Sequence, residues 1–245
     1  MTDGLLLLHA FPLDASMWEP QVRALRDRVT VVAPHFPGFG GTAPGGEVMT
    51  MAAAARRAVE ALDQAELDRA VVCGLSMGGY VALELWRSAR DRVAGFVFAN
   101  TRAGADDEAG MQRRRALAER LRSEGSQFLV DQPVPLLSAT APHELWGRVN
   151  GIIAAQPSEA IAAASMGMAE RPDSTPDLAG IDVPTLVVTS TGDTLIPAEA
   201  TTPMADAIPD ARLEVLDGPG HLSNLEGPEQ FTRLLEEHLR RCGVT

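Results

Sequence analysis

The sequence has little cysteine, little basic charge and no long apolar run, and each shortage removes a class of protein. Two cysteines, Cys73 and Cys242, stand among 245 residues. That is too few for a disulfide framework and fits a reducing compartment, so a cytoplasmic location is expected. No pair of Cys or His has the CxxC or HExxH spacing of a metal site, and neither a metal nor a cofactor is expected. No stretch approaches the roughly 18 apolar residues that cross a membrane. The N-terminal MTDGLLLLHAFP holds four consecutive leucines but no basic region before them and no small-residue cleavage site after them. It reads as a strand of the mature protein rather than a signal peptide. Lys and Arg number 21 against 33 Asp and Glu, for a net charge of −12. That balance argues against nucleic acid as a partner, because phosphate binding needs clustered cations. The one basic run, Arg113–Arg115, lies close to Asp106, Asp107, Glu108 and Glu119 and reads as a solvated helix face.

What is present is a core-forming composition, 45% apolar with 22% charged residues, arranged in alternation. Runs rich in Val, Leu and Phe at Leu5–His9, Val29–Ala33, Ala70–Gly74, Val93–Ala99, Thr185–Thr189 and Arg212–Leu216 predict buried strands. Their near-continuous hydrophobicity is that of parallel strands covered on both faces. Helical spacing fills Ser16–Arg26, Met49–Leu67, Met77–Ala89, Ala198–Ala207 and Pro228–Arg241. The alternation implies an α/β fold, a doubly wound, mostly parallel sheet of about six strands. From residue 101 to residue 175 no strand is evident, and Pro133, Pro135, Pro142, Pro157 and Pro172 interrupt the segment. A structureless loop of that length does not suit a compact domain. Residues 101–175 are therefore expected to form a helical cap, inserted into a core made of residues 1–100 and 176–245.

In open parallel sheets, ligands bind at the carboxyl ends of the strands. There the sequence places GLSMGG, Gly74–Gly79, with Ser76 in a Gly-x-Ser-x-Gly pattern between a strand and a helix. In that context the pattern makes a tight turn that projects a nucleophilic hydroxyl. A serine needs a base, and the base needs an orienting acid. The strand-end rule selects Asp193 in STGDTLIP after the fifth strand and His221 in DGPGHLSNLEGPEQF after the sixth. His9 and His35 also lie near strand ends, and His143 and His238 on helical stretches, as competitors. The chain order Ser76, Asp193, His221 is the one this arrangement uses. Acyl transfer also needs backbone donors for an oxyanion. The N–H of Met77, next to the nucleophile, and that of Phe11, in the loop after the first strand, are the candidates. Candidate pocket residues are Trp18, Phe128, Leu136, Trp146, Met166 and Met168. An anionic substrate would need a local arginine, and Arg102 is the nearest at a strand end.

Together these segments resemble the α/β-hydrolase family over most of the chain. HAFPLDASMW is similar to the family's oxyanion loop, with Ala10 where glycine is usual, and PGFGGT to its turn after the next strand. GLSMGG, GDTLIP and GPGHLSNLEGPEQF match its nucleophile, acid and base segments. LDASMWEPQ and GPGHLSNLEGPEQF are most similar to bacterial enol-lactonases and carboxylesterase-like hydrolases. The resemblance implies a serine hydrolase that cleaves a small carboxylic ester or lactone through an acyl-enzyme, on a sheet shortened at its N-terminal edge. His35 stands where many relatives carry Asp. Asn100 stands where some carry the triad acid, which favours Asp193. Carbon–carbon bond hydrolases, perhydrolases or haloperoxidases, and non-catalytic ligand-binding members of the fold remain alternatives, as do monomer and homodimer.

Overall fold

The computed structural model describes residues 2–244. Its strands are β1 (Asp3–Leu8), β2 (Val31–Val32), β3 (Arg69–Leu75), β4 (Val93–Ala99), β5 (Thr185–Ser190) and β6 (Ala211–Leu216). The helices in the first part of the chain are α1 (Glu19–Leu25), α2 (Met51–Gln64) and α3 (Met77–Ala89). Between β4 and β5 come α4 (Glu108–Glu124), α5 (Phe128–Asp131), α6 (His143–Ala154) and α7 (Ser158–Ala169). The chain closes with α8 (Ala198–Ala207), the single turn α9 (Ser223–Glu226) and α10 (Pro228–Arg241). One six-stranded sheet runs in the order β2-β1-β3-β4-β5-β6, with every pairing parallel.

Successive side chains of a strand point to opposite faces, yet Leu5, Leu6, Leu7 and Leu8 are all fully buried, and β4 is buried throughout. Both faces of the central sheet are therefore covered. Helix α1 packs with α10 on the flanks and α2 with α3, while α8 lies on β5 and β6. No helix among the described residues is long and apolar enough to cross a membrane.

Three elements differ from the sequence reading. β2 has two paired residues rather than the five of Val29–Ala33, because it is an edge strand bonded only to β1 and Pro34 beyond it has no N–H to donate. The expected helix from Ser16 begins as a 3₁₀ turn, Ala15–Trp18, capped by Asp14 on the Ser16 N–H; α1 proper starts beside Pro20, a residue that suits a first helical turn. The sequence predicts a buried β6, but its four middle residues are exposed, with Val215 at 47%. It is the other edge of the sheet and has a partner on one side only.

The helical segment between β4 and β5 is tied to the sheet at several points. Helix α7 runs against the chain ahead of α2, where the Met49 N–H donates to the Ala163 carbonyl at 3.0 Å. A Cβ on Gly167 of α7 would come 1.8 Å from the Met49 carbonyl oxygen. Gln156, past the end of α6, donates to Asp14 Oδ2 and accepts from the Gly40 N–H, both at 2.9 Å.

Candidate active site

The three glycines around Ser76 are explained by close approach rather than by unusual dihedrals. A Cβ on Gly74 would lie 2.3 Å from the Gly78 carbonyl oxygen, one on Gly78 2.1 Å from that of Leu8, and one on Gly79 2.4 Å from Thr101 Oγ1. Strand β3, helix α3 and the end of β1 converge here so tightly that no side chain fits. The residue with the unusual backbone is the serine itself, at φ 55° and ψ −116°, a strained conformation of the kind found at functional turns. Neighbours fix it from both sides. The Ser76 N–H donates to the Ala99 carbonyl at 3.0 Å, and its own carbonyl accepts from the Gly79 N–H at 2.9 Å and from the Thr101 hydroxyl at 2.8 Å.

Asp193 follows β5 and His221 follows β6. His221 Nδ1 donates to Asp193 Oδ2 at 2.8 Å, both side chains being almost wholly buried. Asp193 Oδ1 accepts from the Leu195 and Ile196 N–H groups at 2.9 and 3.0 Å, and Oδ2 also accepts from Asn100 Nδ2 at 3.0 Å. Burial works against the charge on Asp193. The His221, Ile196 and Asn100 contacts outweigh it and hold the carboxyl below its ordinary value. An ionised Asp193 draws the ring proton to Nδ1 and leaves the Nε2 lone pair free to accept a proton.

Asn100, which the sequence marks only as unable to be the acid, has a bonding role that the sequence does not show. It sits after β4 at φ 45°, fully buried. Its amide donates to Asp193 and to Ser190 Oγ at 2.7 Å, and its carbonyl accepts from Ser223 Oγ at 2.6 Å. Ser190 Oγ in turn donates to the Gly220 carbonyl at 2.8 Å. This buried chain links the ends of β4 and β5 to the loop that carries His221. Glu226 holds that loop from the far side, accepting from the Gly220 N–H at 2.7 Å and from the N–H and hydroxyl of Ser138, ahead of α6, at 3.0 and 2.5 Å.

Ser76 and His221 line one cavity of about 560 Å³, a size suited to a small molecule. Among the described residues no hydrogen bond joins Ser76 Oγ to the imidazole; such contacts are often loose without substrate and tighten in the complex. Phe11 lies on the same wall. The N–H groups of Phe11 and Met77 have no acceptor among the described residues; Phe11 shares the cavity with Ser76, and Met77 follows Ser76 at the first position of α3. The competing histidines are elsewhere. His9 packs at a tilt against the Phe36 and Phe39 rings, donates from Nδ1 to the Ala10 carbonyl and accepts from the Phe36 N–H at Nε2. Burial pushes its pKa down to about 4, as burial also does for His238 on α10. His35 accepts from the Ala15 N–H at 3.2 Å, and His143 begins α6.

Of the six candidate pocket residues, Phe128, Leu136 and Met168 line the cavity. Trp18 does not: it is fully buried in the helix layer, its ring 5.9 Å from that of Phe231 on α10. Met166 is two residues from Met168 on α7 and so points about 200° away, packing on the core instead. Trp146 shares the side of α6 that carries the lining residue Ile153 but lies about 10 Å along the axis, where it packs on the core. The expectation of a solvated face at Arg113–Arg115 holds for the exposed Arg113 and Arg115 and fails for the half-buried Arg114, and that face is also part of the cavity. Arg113 and Arg114 line the cavity. With Gly110, Leu117 and Arg120 they make one stripe of α4 at i, i+3, i+4, i+7 and i+10, a spacing that was present in the sequence.

A parallel sheet with helices on both faces and a serine, an acid and a histidine at the ends of β3, β5 and β6 defines a class of protein. The chain belongs to the alpha/beta hydrolase family, which it matches over residues 5–234. Among individual proteins it is similar to 3-oxoadipate enol-lactonase 1 of Acinetobacter baylyi, 28% identical over 94% of this chain and 86% of that one. It is likewise 28% identical to the pimeloyl-[acyl-carrier protein] methyl ester esterase of Aromatoleum aromaticum, over 96% and 98%. Among solved structures, a malate-bound thermophilic esterase from Thermogutta terrifontis superposes with a TM-score of 0.94 at 37% identity, covering 99% of this chain and 90% of that one.

Proposed function

We propose that the protein is a serine hydrolase of small carboxylic esters or lactones. The observation that carries this reading is the His221–Asp193 pair, bonded at 2.8 Å in the cavity that Ser76 enters from a strained strand-to-helix turn. Ser76 Oγ attacks the substrate carbonyl while His221 Nε2 takes its proton, and Asp193 stabilises the imidazolium that forms. The free N–H groups of Phe11 and Met77 hold the oxyanion of the tetrahedral intermediate, an interaction that contributes about 3 kcal/mol per donor to such reactions. The intermediate collapses by breaking the carbonyl–alkoxy bond, and His221 returns its proton to the leaving oxygen. In a lactone the freed alcohol stays attached to the acyl group. Water, deprotonated by His221, then attacks the acyl-enzyme and releases the acid and Ser76.

The helices of residues 101–175 act in this reading as a cap that shapes the cavity and limits the access of water. The activities named for the enol-lactonase and methyl esterase relatives support ester-bond hydrolysis over the other reactions that such a triad can run. The test is hydrolysis of p-nitrophenyl acetate by the parent and by Ser76→Ala. The parent should turn over, and the variant should lose on the order of 10³-fold or more. A variant as active as its parent would overturn the reading.

A further inference from the structure

The cavity over Ser76 carries a charge opposite to that of the protein. All 21 basic residues of this acidic chain are arginines, there being no lysine in the sequence. Four of them, Arg102, Arg113, Arg114 and Arg120, line the cavity against a single acid, Asp106. Asp106 is already committed. Its buried carboxylate takes a two-pronged contact from Arg171 at 3.0 and 3.1 Å, and it accepts from Arg102 and Arg114 as well. Arg171 is itself buried, its guanidinium 4.1 Å from the Tyr80 ring, and it alone balances the carboxylate. Arg102 and Arg114 are thereby oriented but not neutralised. Arg120 is offset by Glu124 and lies over the Phe128 ring. Arg113 is exposed and has no ion-pair partner among the described residues.

Two further observations point to a ligand. Arg102 Nε is buried without a hydrogen-bond partner, and an orphaned donor of this kind is costly unless something else satisfies it. Arg102 also directly follows Thr101, whose hydroxyl bonds the Ser76 carbonyl, so this cation belongs to the segment that braces the nucleophile. The same cavity is lined by the apolar side chains of Leu117, Phe128, Leu136 and Met168. The cavity thus offers one small molecule a nucleophile, an apolar surface and a cation together.

We propose that the cavity selects esters or lactones that carry a free carboxylate, held by Arg102 with Arg113 and Arg114 beside it. The inference rests on the hydrolase reading above. The planar fork of arginine matches a carboxylate in two-point contact, and a cationic cavity in an acidic protein draws small anions toward it.

Two ester pairs test this, each differing only in charge: monomethyl adipate against methyl hexanoate, and 4-acetoxybutanoate against butyl acetate. The ratio of kcat/KM, anionic over neutral, should favour the anion in at least one pair. Arg102→Gln should reduce that ratio about tenfold or more, Arg113→Gln by less, and added salt should lower it for the parent. Should Arg102→Gln not fold, for want of a partner for Asp106, the exposed Arg113→Gln carries the same test. A parent that prefers the neutral ester in both pairs would overturn the carboxylate site, as would a ratio that neither variant moves; Ser76-dependent cleavage of the neutral esters would leave the hydrolase reading intact. Absence of Ser76-dependent cleavage of any of the four esters would overturn both.

Discussion

The floor and the wall of the cavity are built by different means. The floor, where β1, β3, β4 and β5 end, is fixed by backbone contacts. Glycines meet carbonyl oxygens there, and buried amides and hydroxyls leave Ser76, Asp193 and His221 no freedom. The wall, contributed by α4 to α7, has backbone contacts where α7 meets Met49 and is otherwise held by side chains, chiefly the arginines around Asp106, the Glu226 bonds to Ser138 and the bridge through Gln156. A floor of that kind allows chemistry to be positioned within tenths of an ångström. A wall of that kind can change its residues, and so its substrate, without disturbing the reaction.

The largest effect expected from breaking the floor is chemical. Asp193→Asn keeps the size of the side chain but removes the acceptor that fixes the His221 tautomer, and it sets a second amide against Asn100. Activity should fall on the order of 10³- to 10⁴-fold with the circular dichroism spectrum unchanged. Wild-type-like kcat would remove Asp193 from the mechanism.

A methyl group sharpens the comparison. Gly78→Ala places a Cβ 2.1 Å from the Leu8 carbonyl oxygen, which backbone cannot readily accommodate, so a loss of about 3 kcal/mol or more is expected. Gly151→Ala, on α6, meets nothing within 4 Å and should stabilise by about 0.5–1 kcal/mol through helix propensity. Denaturant unfolding of the two variants measures both. Equal effects would mean that floor and wall are not packed differently.

Acid separates them more gently. The His9 pKa is lowered to about 4 from 6.5, so the unfolded chain takes up that proton first. The stability contributed by a neutral His9 is complete above about 6.5 and is lost as pH falls toward 4. Roughly 2 kcal/mol should disappear between pH 7 and pH 5 from His9, with a like amount from His238, lowered to about 4 as well, so His9→Gln should remove about half of that slope. Asp106 behaves in the opposite sense. Burial opposes its charge, but the hydrogen bonds from Arg171 and Arg114 hold its carboxyl well below the usual carboxylate range. Its contribution is complete above the ordinary value of about 4 and is lost only as pH falls below it, so Asp106→Asn should leave the slope between pH 7 and 5 as it is. Urea unfolding at the two pH values checks both statements.

The same contrast explains what was legible in the sequence. Strand ends are reached by counting along buried apolar runs, so Ser76, Asp193 and His221 could be read in order, and the six strands with them. The exposure of β6 could not, because Leu213 and Val215 look as apolar at an edge as in the centre of a sheet. Asn100 was noticed only as a residue unable to be the acid. Its role in bonding Asp193 depends on β4 and β5 being neighbours. The wall was the least legible part. Whether Trp18, Trp146 or Met166 faces the cavity depends on how each helix is rotated and where it ends, and the sequence does not show that the face of α4 with Arg113 and Arg114 borders the cavity.

The central claim is that Ser76 is a nucleophile activated by His221. Its most direct test is covalent labelling with a fluorophosphonate, followed by intact-mass and peptide mass spectrometry of the parent, Ser76→Ala and His221→Ala. The account predicts one adduct per chain, located on Ser76, absent from Ser76→Ala and strongly slowed in His221→Ala. A label on another residue, or labelling of Ser76 at the same rate without His221, would contradict it.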